Sequence, residues 1–371
     1  MDQIKLPFYA KLALVLLSIA LIVLFMYFGK SVFIPLFFAF LIAALLHPVV
    51  ARLEKISFPR SLASFLAVLL FLAFLAGLIY FFSHQVIRFS RDLPHLQKKF
   101  TSKLQNIQSW IAENYNVNDS AQINYISKSA NTLAESAAGS IANTFIGAVK
   151  LVVLGIFLLI FTFFILFHRQ RILQFIVELF TASHKERVMG VVTQVHRMVH
   201  NYVLGLLMEM LILGTLIFLT LKLIGIKYAL LIAVMAAILN IIPYLGIYAA
   251  LFISMLITLS TGNASQLVSL GVVFIVTHFI DANIILPRIV GGQVKLNPLI
   301  TILAVLFGNL IWGIPGMFLF IPMIAILRII SEEVDGLKPY AILLGAPKKE
   351  RIKERDSGKL KPDESDSREG H

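Results

Sequence analysis

A succession of apolar runs, each long enough to cross a bilayer, limits this chain's choice of fold more than any other feature. A helix needs roughly 20 apolar residues to traverse a hydrocarbon core of about 30 Å. Residues 12–28, 32–50, 62–82, 145–167, 203–221 and 267–286 reach or approach that length. Lipid offers the backbone no hydrogen-bond partners, so such runs read as helices. Composition agrees. Hydrophobic residues make up 58% of the chain and charged ones 14%, against about 45–50% and about 25% in ordinary domains. The expectation is an all-α integral membrane protein embedded in the lipid bilayer. Its formal charge of +12 reads as the basic excess of cytoplasmic loops, not as a nucleic-acid surface.

The first half reads as a scaffold with an inserted water-facing module. Residues 1–83 hold three spans. The run 12–28 reads as a retained span, because no small-residue cleavage site follows it and the next span begins directly after Gly29-Lys30. Arg52, Lys55 and Arg60 crowd the loop after the second span and place it in the cytoplasm. Composition turns polar after Phe82. Within 84–143, Leu96, Phe100, Leu104, Ile107 and Ile111 form one helical stripe, and Ile126, Ala130, Leu133, Ala137 and Ile141 form a second. The expectation is an extracytoplasmic pair of amphipathic helices with a break at 114–121, where Asp119 or Ser120 would cap the second. Residues 144–168 return through the membrane to His168-Arg169-Gln170-Arg171, a positive-inside signal. The stretch 169–198 reads as a cytoplasmic amphipathic helix. Its start is marked by Ser183 and Glu186 at capping-box spacing. His196 and His200 lie four apart. With no H-E-x-x-H motif and no third ligand, they read as an interfacial face and not a metal site.

The region 199–330 repeats one pattern twice: a full span, then a long apolar stretch broken in its middle. The break in 228–260 is Asn240-Ile241-Ile242-Pro243-Tyr244-Leu245-Gly246; that in 299–330 is Gly313-Ile314-Pro315-Gly316. Proline removes an amide and glycine permits a sharp turn. Arms of about 15 residues span roughly 22 Å, short of a full crossing. Two re-entrant hairpins are therefore expected, dipping from opposite sides. That makes about eight membrane segments with both termini cytoplasmic. Inverted units with broken short segments in matching places point to a secondary-transporter site near the midplane. Residues 331–371 read as a cytoplasmic charged tail. Its part from 347 onward carries eight basic and seven acidic residues and reads as unfolded.

Two acids sharpen the location of a site. Glu209 lies inside one full span and Asp281 inside the other. They are 72 residues apart, as are Pro243 and Pro315. A charge at the centre of a membrane helix costs at least about 2.5–3.5 kcal/mol on insertion scales, so such residues mark polar cavities. His278 and Asn283 flank Asp281 and extend a polar track. Broken helices also leave backbone groups to line a cavity. Asn240 and Tyr244 flank the first tip; Asn309 and Trp312 flank the second. Ser254, Thr258, Ser260 and Thr301 are expected to bond their own helix backbones. The candidate set is thus Glu209, Asn240, Pro243, Tyr244, Gly246, His278, Asp281, Asn283, Asn309, Gly313, Pro315 and Gly316.

These segments resemble the autoinducer-2 exporter (AI-2E) family of bacterial permeases. The resemblance rests on 240–246, on the run from Asp281 through Pro287 and Gly291 with Asn297-Pro298-Leu299, and on 313–317 through Pro322. It implies a bacterial inner-membrane protein with eight membrane segments, a homopentameric assembly and an elevator-like movement of the motif-bearing half. It also implies export of a small polar solute or signal, or sodium/proton exchange. The chain departs from the family pattern at His278 and Leu206, where glutamine is common, and at Ile247, where proline is common. The two absent glutamines point to a solute other than autoinducer-2.

The expected function is secondary transport by alternating access, with a small polar solute and H+ or Na+ as partners. A monovalent cation/proton antiporter is the alternative, and a non-transporting membrane scaffold the third reading. No G-x-S-x-G, H-E-x-x-H, phosphate loop or cysteine is present, so neither enzyme chemistry nor a cofactor or metal is expected.

Overall fold

The computed structural model describes residues 7–115, 153–243 and 245–346. The helices are α1 (Phe8–Phe28), α2 (Lys30–Lys55), α3 (Arg60–Tyr115), α4 (Val153–Glu178), α5 (Lys185–Leu223), α6 (Ala229–Leu239), α7 (Gly246–Thr261), α8 (Ala264–Ile280), the single turn α9 (Gly292–Val294), α10 (Pro298–Trp312), α11 (Ile314–Glu333) and α12 (Lys338–Leu344). The only β pairing among the described residues is one isolated bridge, Leu296 to Gly345. Seven of the described helical stretches are long and apolar enough to cross a membrane. The chain is an all-α integral membrane protein.

Lipid tails are as apolar as leucine, so helices in a membrane associate by close packing of small residues and not by hydrophobic exclusion. The packing here follows that rule. Along α6, Ala229, Ala233, Ala236 and Ala237 are all buried, and a β-carbon at Gly214 of α5 would sit 3.2 Å from Ala237 Cβ. Three apolar clusters result. One joins α2, α3 and α4 through residues such as Val50, Ala63, Ala67 and Leu166. A second joins α5, α6, α7 and α8 through Leu213, Ile217, Ile232, Ala250 and Phe274. The third joins α2 and α5 to the α10–α11 pair through Ala44, Val199, Tyr202, Trp312 and Phe320. Helices α2 and α5 each belong to two of the three and tie the clusters together. By contrast α1 buries no residue.

The two broken stretches are helix–turn–helix pairs. Arms α6 and α7 hold 11 and 16 residues, roughly 16 and 24 Å at about 1.5 Å per residue. Arm α10 holds 15 residues. Arm α11 runs to 20, longer than the sequence spacing predicts, because the helix carries on past Pro322 to Glu333. Between α10 and α11, Gly313 turns the chain with φ 66°.

Other segments differ from the sequence expectation in informative ways. Helix α3 does not break where composition turns polar. It continues for 56 residues, roughly 84 Å, as far as Tyr115, the last described residue of this stretch. The second stripe, with Asp119 and Ser120, lies outside the described residues. The capping box predicted at Ser183 does not form. His184 is the N-cap residue of α5 and makes no side-chain cap bond; the Thr181 and Ser183 hydroxyls meet His184 Nδ1 instead, at 2.8 and 3.1 Å. A capping box stands at α8, where Asn263 Oδ1 accepts from the Gln266 amide at 2.9 Å and Gln266 Oε1 accepts from the Asn263 amide at 3.3 Å. Residues 331–346, the first part of the expected charged tail, hold the end of α11 and helix α12. Helix α12 folds back so that Leu344 carbonyl accepts from Asn297 N and Lys295 carbonyl accepts from Ala346 N, both at 2.9 Å. Buried Arg328 joins this clasp, donating to Lys295 carbonyl at 2.8 Å. Residues 347–371 lie outside the described residues.

One end of the molecule gathers the ion pairs made among the described residues. Arg169 pairs with Glu54, Arg60 donates to Gln170 Oε1 at 2.5 Å, Lys185 meets Glu178 at 2.8 Å, and Arg187 lies 3.8 Å from Glu333. These bonds join the end of α2 and the start of α3 to α4, the end of α4 to the start of α5, and the start of α5 to the end of α11.

Candidate functional site

Helix α5 carries Glu209 and the segment directly after α8 carries Asp281, and the geometry between these two elements decides the site. Their approach is set by backbone contact. A β-carbon at Gly205 would lie 2.9 Å from Ile289 carbonyl oxygen, so only glycine lets α5 close onto the segment after α8. That segment is not a regular helix. Asp281–Ile285 and Pro287–Gly291 are π turns. Pro287 has no amide to donate, which loosens the ladder, and widened turns of this kind recur at functional sites. The helical path then continues to Val294 and ends at Lys295, which is left-handed with φ 46°. The span therefore runs past Leu286, where the apolar run stops.

The tip of the first hairpin closes the site. Asn240 caps the C-terminus of α6, its amide nitrogen bonded to Ala236 carbonyl at 2.9 Å. Its side chain reaches between the two acids. Asn240 Nδ2 donates to Glu209 Oε1 at 3.0 Å and to Asp281 Oδ2 at 3.3 Å. One amide nitrogen carries two hydrogens, so it can serve both carboxylates at once. Glu209 and Asp281 are 4% and 5% exposed. Each keeps a second oxygen, Glu209 Oε2 and Asp281 Oδ1, that is buried and has no hydrogen-bond partner. Gly246 holds the tip tight: a β-carbon there would fall 1.8 Å from Leu239 carbonyl oxygen. Pro243 sits in the turn, and its carbonyl accepts from Leu245 N at 2.8 Å. Tyr244 lies outside the described residues.

The other candidate residues distribute around this cluster. His278 lies one turn before Asp281, its ring 5.9 Å from that of Tyr248 on α7, and its buried Nδ1 has no partner. Asn283 points away: it is exposed and donates to Phe279 carbonyl at 2.8 Å. Ser260 and Thr301 bond their own helices as expected, at 3.0 and 3.1 Å. The Ser254 and Thr258 hydroxyls do not; both are buried without a partner. His200 Nδ1 meets Ala44 carbonyl at 3.0 Å and His196 packs edge-on to His47 at 4.7 Å, so this pair seals α5 against α2. No cluster of three metal-ligating side chains occurs among the described residues.

The second tip serves a different contact. Asn309 is exposed and its carbonyl accepts from Gly313 N at 2.9 Å. Gly316 and Pro315 begin α11, and the hairpin arms touch backbone to backbone at Gly308 and Gly316. Trp312 is buried and donates from Nε1 to Met26 carbonyl of α1 at 2.9 Å. Its ring packs near Phe37 and Phe320 at 5.7 and 5.5 Å. This tip is therefore docked on α1 and α2, away from the acid cluster's hydrogen bonds. Trp312→Phe keeps the aromatic packing and removes the donor. The expected loss is about 1 kcal/mol, read as a lower melting temperature in detergent. An unchanged melt would remove this bond from the docking of the tip.

Apolar spans, broken hairpins and a buried polar cluster define a membrane transporter. Comparison with known proteins agrees. The sequence pattern of AI-2E family transporters matches residues 16–336, and the chain belongs to that family. It is 29% identical over 315 residues to YueF of Bacillus subtilis, named provisionally as a transport protein, covering 82% of this chain and 84% of the relative. It is 24% identical over 330 residues to YhhT of Escherichia coli, named in the same way, covering 89% and 93%. It is 22% identical over 342 residues to the AI-2 transport protein TqsA of Escherichia coli, covering 92% and 97%.

Proposed function

We propose that this chain is a secondary transporter of the bacterial inner membrane that moves a small polar solute outward by alternating access, with Glu209, Asn240 and Asp281 as its binding and coupling site. One observation carries the reading: a single hairpin-tip amide bridges two buried carboxylates, each with an oxygen left unpartnered. Two carboxylates sharing one donor at membrane depth repel each other and carry no cation of their own. A proton or a monovalent cation between them relieves both penalties. Binding there is thereby coupled to the position of the α6–α7 tip, which is the link an alternating-access cycle requires.

The same pair of acids favours a second reading, monovalent cation/proton exchange with no other solute. The relative named for AI-2 transport supports a small polar cargo instead. Both readings route through the same acids, and one experiment tests that core. Proteoliposomes holding a pH gradient are challenged with sodium, and separately with a panel of small polar solutes, while internal pH and solute are followed. Wild type is expected to answer at least one challenge. Asp281→Asn is expected to slow that response about tenfold or more, at least roughly 1.4 kcal/mol on the limiting barrier. Transport by Asp281→Asn at the wild-type rate would overturn the assignment of the site.

A further inference from the structure

A second polar feature lies at the opposite end of the molecule from the ion-pair cluster. A cavity of about 550 Å³ opens where α3, the end of α5 and the start of α6 meet. Four cations line it: Arg88 and Arg91 from α3, Lys222 from the last turn of α5, and Lys227 from the loop before α6. No carboxylate lines it among the described residues. Arg88, Arg91 and Lys222 make no ion pair among the described residues. At the other end, by contrast, Arg169, Lys185, Arg187, Arg328 and Lys338 each meet an acid.

Orientation makes this cluster anomalous. The end bearing Arg52, Lys55, Arg60, Arg169 and Arg171 reads as cytoplasmic, which puts the four-cation cavity on the outward side. Lysine and arginine are depleted from short outward loops. Four of them around one cavity, three of which (Arg88, Arg91 and Lys222) make no ion pair among the described residues, form a concentration of positive charge that folding alone does not call for. Two of the stems are placed by aromatic rings. Lys222 Nζ lies 5.5 Å from the Phe218 ring and Lys227 Nζ 5.2 Å from the Tyr228 ring. Tyr228 is itself held edge-on by Phe89 at 5.3 Å. The first turn of α6 lines the same cavity through Ala229, Leu230 and Leu231. Tyr228 provides that helix with no side-chain cap, so its positive end adds to the field of the cations.

We infer that this cavity binds a phosphate-bearing anion, held by Arg88, Arg91, Lys222 and Lys227. Arginine matches phosphate oxygens with a planar fork and lysine adds a point charge. The remaining wall is mostly apolar, with Phe218, Ile226, Leu230 and Leu231, and Gln85 of α3 adds one polar side chain. A phosphate carried by an outer-leaflet lipid and a free phosphorylated solute present the same chemistry to this site. Occupancy ties α3 to the base of the hairpin whose tip carries Asn240, so it biases the position of that hairpin.

The test uses the full-length protein in nanodiscs of phosphatidylcholine. Phosphatidylglycerol is titrated into the discs and retained lipid is counted by native mass spectrometry. Inorganic phosphate is titrated separately by calorimetry. Wild type is expected to retain phosphatidylglycerol over phosphatidylcholine, or to bind phosphate, or both. Lipid retention alone assigns the site to the leaflet, and phosphate binding assigns it to a free anion. In R88Q/K222Q either affinity is expected to fall about tenfold or more, while R171Q at the other end leaves it unchanged. R91Q/K227Q repeats the measurement should the first variant misfold, and R88K/K222R is expected to restore binding. Wild-type affinity in both glutamine variants, or no preference for either probe in wild type, would overturn the inference.

Discussion

Gly316→Ala is expected to separate the arms of the second hairpin and to cost far more stability than a methyl added at an open glycine. A β-carbon at Gly316 would lie 1.9 Å from Gly308 carbonyl oxygen and 2.9 Å from Trp312 Cβ. The obstacle is backbone and cannot rotate away. Reciprocally, a β-carbon at Gly308 would lie 2.3 Å from Gly316 carbonyl oxygen. To admit the methyl, α10 and α11 must move apart, which forfeits their packing and disturbs the Trp312 bond to Met26. Overpacking typically costs about 1–3 kcal/mol, and a rigid backbone on both sides places this case at or above roughly 3 kcal/mol. Gly246→Ala is expected to behave alike, with its methyl 1.8 Å from Leu239 carbonyl oxygen. Gly292→Ala meets nothing within 4 Å and serves as the control. Thermal melts in one detergent decide the matter. If Gly316→Ala melts with wild type, the close approach of the two arms is not a feature of the folded protein.

What could be read from sequence follows from the range of the interactions involved. Apolar length alone announces the spans, because the cost of exposing backbone to lipid is paid locally by each helix. The hairpin breaks were equally legible, since Pro243, Gly246, Gly313 and Pro315 act on their own backbones. Continuity of α3 was not. The change after Phe82 alters which solvent the helix faces, and Gln, Lys and Leu propagate a helix in either. The π turns beginning at Asp281 were hidden too. Pro287 hints at a loosened ladder, but the matching contact is Gly205 on another helix. At the site, burial of Glu209 and Asp281 in apolar runs marked both as special, and their equal spacing to the prolines paired them. That Asn240 bonds both at once depends on three elements meeting. The docking of Trp312 on Met26 joins the two ends of the chain and has no local signature. The capping box at Asn263 and Gln266 had readable spacing, whereas the one predicted at Ser183 lost its hydroxyl to His184.

Asn240→Leu is expected to abolish transport and, separately, to destabilise the fold in a way that removal of the acids repairs. The leucine withdraws the donor shared by Glu209 Oε1 and Asp281 Oδ2 and leaves four carboxylate oxygens without a protein partner. An unsatisfied buried polar group costs about 1–3 kcal/mol, and more if charged. The variant is therefore expected to lose about 2–4 kcal/mol. Adding Glu209→Gln and Asp281→Asn to Asn240→Leu replaces buried acids with neutral amides that can bond each other. Most of the lost stability should return, while transport stays absent because no titratable or cation-binding group remains. The effects of neighbouring residues on one network do not add, so the signature is the interaction energy between Asn240→Leu and the acid substitutions, measured by melts of all combinations. Additive losses would mean that Asn240 and the acids act independently. Transport surviving in the triple variant would mean that the solute or ion passes elsewhere in the molecule. The combination of recovered stability with absent transport is the result that only a shared amide between two working carboxylates produces.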